Sequence, residues 1–313
     1  MSDAEARYSL VAGEGDGAML GLAAGDAAGG AWELGYSAIT EQATVIAYQL
    51  IELGRLDPET LIKGVRELDG SDGEEPVYRG ESPEFRSWLD RFATGRAALE
   101  AVPSLDAASR AIPLGVALRR EPETLRTEAV ALGRLFHADD SSVLSGVVAA
   151  GAVAAACFGQ SGRDMILGVV ELIHPVISDF GTGGALLGEI EALQDHVGVH
   201  DGEEALRIVS PAPAPRPWDQ LKAGLLLSTP VVDRPHAPIE QAARIGGSAL
   251  AAMVGGIVGA RVGIRAWPWA FVNDTWFAEI GRRLVRGPSE VADLPIPYAV
   301  EHHLIAGERQ GPY

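Results

Sequence analysis

Helix signals dominate the pattern of hydrophobic and polar positions along the chain. The two most apolar runs, residues 143–158 and 246–260, are rich in glycine and alanine. Both are shorter than the roughly 18 residues that suggest a membrane-spanning helix, so they predict buried core helices. The best alternating strand pattern, residues 207–209, is too short to form a sheet. The pattern therefore predicts an all-α protein.

Short motifs mark where several of these helices begin. A capping residue or an acid stands before a proline and a second acid in three places, a combination that suits the first turn of a helix. The three motifs are Asp57-Pro58-Glu59, Ser82-Pro83-Glu84 and Glu121-Pro122-Glu123. Side chains suited to helix capping also stand at Asp139, before the first apolar run, and at Asn273. Pro238 begins a further late helix.

Three segments are predicted to be irregular: residues 70–80, 210–217 and 288–313, all punctuated by proline or glycine. The segment 210–217 could be a linker between domains. Helices of the same glycine- and alanine-rich style stand on both sides of it, which favours a stiff surface loop instead. We therefore expect a single domain over residues 1–313.

Charge and cysteine content narrow the classes of partner. The formal net charge is −18, from 43 acids and 25 bases, which argues against nucleic-acid binding because such proteins need clustered basic residues. The only cysteine, Cys157, cannot form an internal disulfide. The first residues carry no signal-peptide pattern. We expect a cytoplasmic protein without a membrane or nucleic-acid partner.

A glycine-rich segment at residues 181–188 has some likeness to a phosphate-binding loop. Such a loop follows a strand and opens a βαβ unit, and neither is predicted here. The segment is better interpreted as a helix entry, and no cofactor is predicted.

The segment 17–33 carries the most informative pattern: glycines at four-residue spacing, then Asp26, Trp32 and Glu33. It resembles the first motif of the ADP-ribosylglycohydrolase family. Four later stretches resemble further motifs of that family in the same order: residues 107–115, 136–139, 245–260 and 267–283. The resemblance covers about residues 10–287 and implies a compact orthogonal helical bundle.

The chain departs from the family at the metal ligands. In the family, a "TDDT" and a "DTDT" stretch supply oxygens to two Mg²⁺ ions, the donors that this hard cation prefers. Here the first stretch is Thr40-Glu41-Gln42-Ala43, and the second, near Gly246-Gly247-Ser248-Ala249, contains no acid. We therefore expect that the metal site has been lost and that no residue serves as a metal ligand.

The resemblance also assigns candidate site residues. Candidate catalytic residues are Asp26, Glu33 and Glu41. Candidate substrate-binding residues are Trp32, Arg110, His137, Gly246, Gly247 and Ser248. Structural roles compete with several of these: Asp26 as a helix cap, His137 as a cap or packing residue, and Trp32 as part of the core.

Three functions remain open at this point. The first is a pseudoenzyme that is retained for binding ADP-ribose, a related nucleotide or a protein partner. The second is a metal-independent N-glycoside hydrolase that uses Asp26, Glu33 or Glu41, because two-carboxylate glycoside chemistry needs no metal. The third is a structural scaffold with a filled cleft.

Overall fold

Every element that the described part of the chain forms is an α-helix or a 3₁₀-helix, which confirms the all-α prediction. A computed structural model describes residues 15–30, 36–68, 78, 81–94, 102–181, 183–210, 212, 214–232, 235–264, 267, 273–289, 291 and 294. The α-helices are α1 (Ala18–Gly29), α2 (Ala38–Leu53), α3 (Pro58–Glu67), α4 (Pro83–Thr94), α5 (Asp106–Arg110), α6 (Ile112–Ala117), α7 (Pro122–Phe136), α8 (Asp140–Cys157), α9 (Gly162–Ile173), α10 (Gly183–Glu191), α11 (Gly202–Val209), α12 (Pro217–Ser228), α13 (His236–Val262) and α14 (Asp274–Arg286). Two 3₁₀-helices, His174–Asp179 and Ala192–His196, flank α10.

The predicted helix starts are confirmed where local capping decides them. Asp57 accepts the backbone N–H of Thr60 at 3.0 Å at the start of α3. Asp139 accepts the backbone N–H of Ser142 at 2.8 Å at the start of α8. Each carboxylate satisfies an N–H that has no partner within its own helix. By contrast, α13 begins at His236, before the predicted start at Pro238.

The core is organised around a close antiparallel contact between α1 and the second half of α13. A Cβ at Gly21 would lie 2.0 Å from the carbonyl oxygen of Gly255, and one at Gly17 would lie 2.5 Å from that of Gly259. Glycines on one face of each helix therefore let the two backbones touch.

Helix α13 is interrupted at Gly247, whose backbone has φ 65° and ψ −157° inside an otherwise helical stretch. Glycine adopts this conformation without the steric penalty that a Cβ would bring. A Cβ at Gly29 would lie 2.5 Å from the Cα of Ser248, so the end of α1 packs directly on the interruption. The break thus falls at the same end of the bundle as the end of α1.

Two of the helices, α8 and α13, are long and apolar enough to cross a membrane by length and composition alone. Within the fold, however, 89 % and 72 % of their most apolar windows are buried. Such burial is consistent with core helices of a soluble protein. The described residues of the predicted loop 210–217 lie between α11 and α12, except Pro217, which is the first residue of α12. Most of the other two irregular segments lies outside the described residues.

Candidate functional site

Asp26 lies in the last turns of α1 and is completely buried. Its carboxylate accepts hydrogen bonds from the start of α2: from the backbone N–H and hydroxyl of Ser37, both at 2.8 Å, and from the backbone N–H and hydroxyl of Thr40 at 3.2 and 2.7 Å. Serine directly before a helix is a common N-cap, so the sequence marks Ser37 as the start of α2. It does not show that Ser37 binds a carboxylate on another helix.

Burial raises the pKa of Asp26, and the hydrogen bonds from Ser37 and Thr40 offset part of that increase. The negative charge also lies at the positive end of α2, where the helix dipole stabilises it. The backbone and hydroxyl groups of Ser37 and Thr40 all donate to the carboxylate. The arrangement therefore suits an ionised side chain that caps α2.

The break in α13 is hydrogen-bonded to the end of α1 that carries Asp26. The hydroxyl of Ser248 donates to the backbone carbonyl of Asp26 at 3.2 Å. The hydroxyl of Ser109, on α5, donates to the backbone carbonyl of Ala249 at 2.8 Å. The end of α1, the start of α2, the break in α13 and helix α5 consequently meet at one end of the bundle.

Arg110 is the centre of a buried polar cluster beside this meeting point, and only 2 % of its surface is exposed. Its guanidinium donates to Gln42 Oε1 at 2.5 Å and pairs with Asp106 at 3.4 Å. It also lies 2.9 Å from His137 Nε2 and 4.5 Å from the ring centre of Phe136. These contacts link α2, α5 and the junction of α7 with α8.

His137 is neutral in this cluster. Burial, together with the positive charge of Arg110, lowers the pKa of His137 to about 3. Since Arg110 can only donate, His137 Nε2 must accept, which leaves the ring proton on Nδ1. The histidine therefore acts as a hydrogen-bond acceptor for a buried cation.

We expect acid to weaken the fold through His137. The unfolded histidine binds a proton below its usual pKa of 6.5, whereas the folded one stays neutral until about pH 3. Stability is therefore full above pH 6.5 and falls as the pH decreases towards 3. Between pH 7 and pH 5 the loss amounts to about 2 kcal/mol. Urea unfolding of the wild type and of His137→Gln at both pH values measures this difference.

The substitution His200→Gln, at an exposed position, provides the control and is expected to keep the wild-type loss. His137→Gln retains an acceptor for Arg110 but cannot be protonated, so its stability should fall by about 2 kcal/mol less on acidification. Equal losses in the wild type and in His137→Gln would show that His137 is not the responsible group.

The structure brings together most of the residues that the sequence marks as a site. Glu41, in the first turn of α2, is 3 % exposed and stands between Thr40 and Gln42, whose partners are Asp26 and Arg110. Gly246, Gly247, Ser248 and Ala249 are half-buried and stand out from the buried remainder of the helix that follows. Trp32 and Glu33 lie outside the described residues. The catalytic and binding roles assigned from the sequence stay predictions.

Sequence reasoning missed four side chains of this end: Ser37, Gln42, Asp106 and Ser109. Their partners, apart from the pair Asp106 and Arg110, are separated from them by 11 or more positions along the chain. Ser37 carries a local signal as an N-cap, and Asp106 carries one because it lies four residues before Arg110 on the same helix. The other pairs exist because the helices cross, which no spacing along the sequence reveals.

The donors present do not fit the pair of Mg²⁺ ions that the resemblance implies. Mg²⁺ requires several oxygen ligands, mostly carboxylates and water. At this end Glu41 is the one acid in the two stretches that resemble the metal motifs, and the amide oxygen of Gln42 is bound to Arg110. Within the described residues, no group of three or more His, Cys, Asp or Glu side chains could hold a metal ion.

Comparison with known proteins agrees with this architecture. A family model described as ADP-ribosylglycohydrolase matches residues 15–293. A solved structure described as an "ADP-ribosylglycohydrolase-related protein complex" is similar in fold, with a TM-score of 0.62 and 21 % identity over 90 % of this chain and 99 % of that chain. No curated protein matches the sequence. Because the family model spans most of its length, the chain belongs to the ADP-ribosylglycohydrolase family.

Proposed function

We propose that this protein is a pseudoenzyme of its family: it binds ADP-ribose or a related nucleotide and does not carry out metal-assisted cleavage. One observation carries the proposal. Gln42 stands where the first of the family's two metal-binding stretches has a carboxylate, and its amide oxygen accepts a hydrogen bond from the buried Arg110. Glu41 is the one carboxylate left in those two stretches. The fold is kept while the donor set for the metal is absent.

The break in α13 offers a place for the diphosphate of such a ligand. The helix resumes after Gly247, so its first backbone N–H groups have no partners within the helix. Those N–H groups and the helix dipole attract anions. Gly246, Gly247 and Ser248 are half-buried and can be reached from solvent. We assign these three residues to the diphosphate, and Trp32 to the base on the sequence pattern alone.

A metal-independent hydrolase is the second candidate, and the burial of Glu41 is the observation that favours it. A carboxyl group with 3 % exposure has the environment in which acids of glycosidases work. Asp26 and Glu33 are the other carboxyl groups assigned to this reaction. Because Asp26 already accepts hydrogen bonds from Ser37 and Thr40, Glu41 is the first of the three carboxyl groups to test.

The test is binding of ADP-ribose in the presence of EDTA, followed by calorimetry and thermal unfolding. At a hundredfold excess over Kd, the ligand should stabilise the protein by about 2.7 kcal/mol. Ala249→Glu places a negative charge beside the proposed diphosphate site and should weaken binding at least about tenfold, a change of about 1.4 kcal/mol. Ala249→Gln has nearly the same shape without the charge and should bind as the wild type does.

Activity measurements separate the alternatives. We expect no release of ADP-ribose from modified arginine or serine side chains. Release that survives EDTA and is abolished by Glu41→Gln would favour the metal-independent hydrolase. Release that EDTA removes would contradict the loss of the metal site. Absence of any thermal shift with ADP-ribose, ADP, AMP or NAD at millimolar concentration would favour the scaffold.

We further propose that the protein works in the cytoplasm, with a nucleotide or another protein as its partner. Cys157 is buried and is the one cysteine of the sequence, so it forms no internal disulfide, which suits a reducing compartment. The net charge of −18 disfavours nucleic acid and anionic lipid surfaces as partners.

A further inference from the structure

Three segments of the chain meet at a single residue, Asp26. Its carboxylate binds the start of α2 through Ser37 and Thr40, and its backbone carbonyl binds Ser248 at the break in α13. These are the same segments whose counterparts carry the metal ligands of the family. Since the side chains of this end do not suit Mg²⁺, another interaction must hold the three segments together.

The carboxylate of Asp26 accepts most of its hydrogen bonds through Oδ2, and Oδ1 accepts from the Ser37 hydroxyl. Its two oxygens offer about four acceptor positions. The four donor groups of Ser37 and Thr40 lie 2.7–3.2 Å from them. The residue is completely buried, so water does not compete for these positions. A substrate could not reach Asp26 without displacing the residues that bury it.

We propose that Asp26 is a metal-independent clamp: its buried carboxylate, rather than a bound cation, fixes the start of α2 and the break in α13 to the end of α1. The clamp concerns the fold of this end and does not depend on nucleotide binding. It also assigns Asp26 a structural role, which removes it from the candidate catalytic residues.

The substitution Asp26→Asn tests the clamp. The amide keeps the shape of the side chain, but its nitrogen would face donors, and the negative charge at the start of α2 would be lost. We expect the Tm to fall by about 6 °C. Asp57→Asn is the matched control, because Asp57 caps α3 through Thr60 near the surface. Asparagine caps helices about as well as aspartate, so that variant should lose no more than about 2 °C, from the lost charge at the start of the helix.

A residue kept only for chemistry would behave in the opposite way. Neutralising a buried catalytic carboxylate leaves stability unchanged or raises it. An unchanged or higher Tm for Asp26→Asn would therefore overturn the proposal. If Asp26→Asn does not fold, Thr40→Val and Thr40→Ser give the same answer in a milder form. Thr40→Val removes the hydroxyl and keeps the shape of the side chain, whereas Thr40→Ser keeps the hydroxyl and loses one buried methyl group. Thr40→Val should therefore lower the Tm more than Thr40→Ser, and the reverse order would contradict the clamp.

The second part of the test measures whether Mg²⁺ stabilises the protein. We expect the Tm of the wild type to be the same within error in EDTA and in millimolar Mg²⁺, because no cation completes this end. A Tm that rises with Mg²⁺ would overturn the metal-independent part of the proposal. Both arms are read without nucleotide, so failure to bind ADP-ribose would leave the clamp intact, and failure of the clamp would leave nucleotide binding to be judged separately.

Discussion

Gly21→Ala is expected to abolish folding, with a loss of more than about 5 kcal/mol in the free energy of unfolding. The added Cβ would lie 2.0 Å from the carbonyl oxygen and 2.7 Å from the carbonyl carbon of Gly255. Both atoms belong to the backbone of α13, so no side-chain rotation can make room. The two helices would have to separate along their whole contact. Expression in soluble form, circular dichroism and thermal unfolding measure the effect.

Gly184→Ala is the matched control, because Gly184 is also helical but a Cβ there would meet nothing within 4 Å. Alanine is a better helix former than glycine, so this variant should gain about 0.5–1 kcal/mol. Gly255→Ala, on the opposite side of the same contact, should fail as Gly21→Ala does. A Gly21→Ala protein that folds with nearly the wild-type Tm would show that the helices do not touch through their backbones.

The sequence predicts the helices of this protein well where local chemistry decides their bounds. Asp57 and Asp139 mark the starts of α3 and α8, because each capping side chain binds a backbone N–H only three residues away. The apolar run 143–158 forms most of α8, and its residues within the helix are all buried. Such signals lie within a few residues of one another, so they can be found without knowing the fold.

The interruption of α13 could not be predicted in the same way. The pair Gly246-Gly247 is compatible with a continuous helix, with a helix end and with the observed break. What fixes the break is the packing of Gly29 against Ser248, a contact between positions more than 200 residues apart. The glycines of α1 can be recognised in the sequence, but the glycines of α13 that contact them can be identified only in the folded structure.

In the candidate site, too, the sequence identifies the residues but not their hydrogen-bond partners. Family motifs direct attention to Asp26, Arg110 and His137, and all three lie at the end of the bundle where the motifs meet. Their hydrogen-bond partners decide whether each faces a ligand or the core. Asp26 is turned to α2, and Arg110 lies within an apolar and aromatic surround. Motif matching alone therefore overestimates how many of these side chains are available to a substrate.

Arg110→Met is expected to lower the free energy of unfolding by about 4 kcal/mol, because breaking a buried, hydrogen-bonded ion pair typically costs 3–5 kcal/mol. Methionine fills much of the volume and keeps contact with Phe136, so the loss reports the polar partners. Gln42 Oε1, His137 Nε2 and the carboxylate of Asp106 would each lose a donor in a place that little water reaches. Urea unfolding of both proteins at pH 7 measures the difference.

Arg120→Met, an exposed arginine at the end of the segment after α6, should change stability by no more than about 0.5 kcal/mol. Arg110→Lys retains the charge but loses the planar fork and the stacking on Phe136, so an intermediate loss is expected. If Arg110 instead served a ligand, Arg110→Lys would weaken ADP-ribose binding while leaving unfolding almost unchanged. The pair of measurements therefore decides whether this arginine holds the core or the nucleotide, and its burial at 2 % exposure leads us to expect the core.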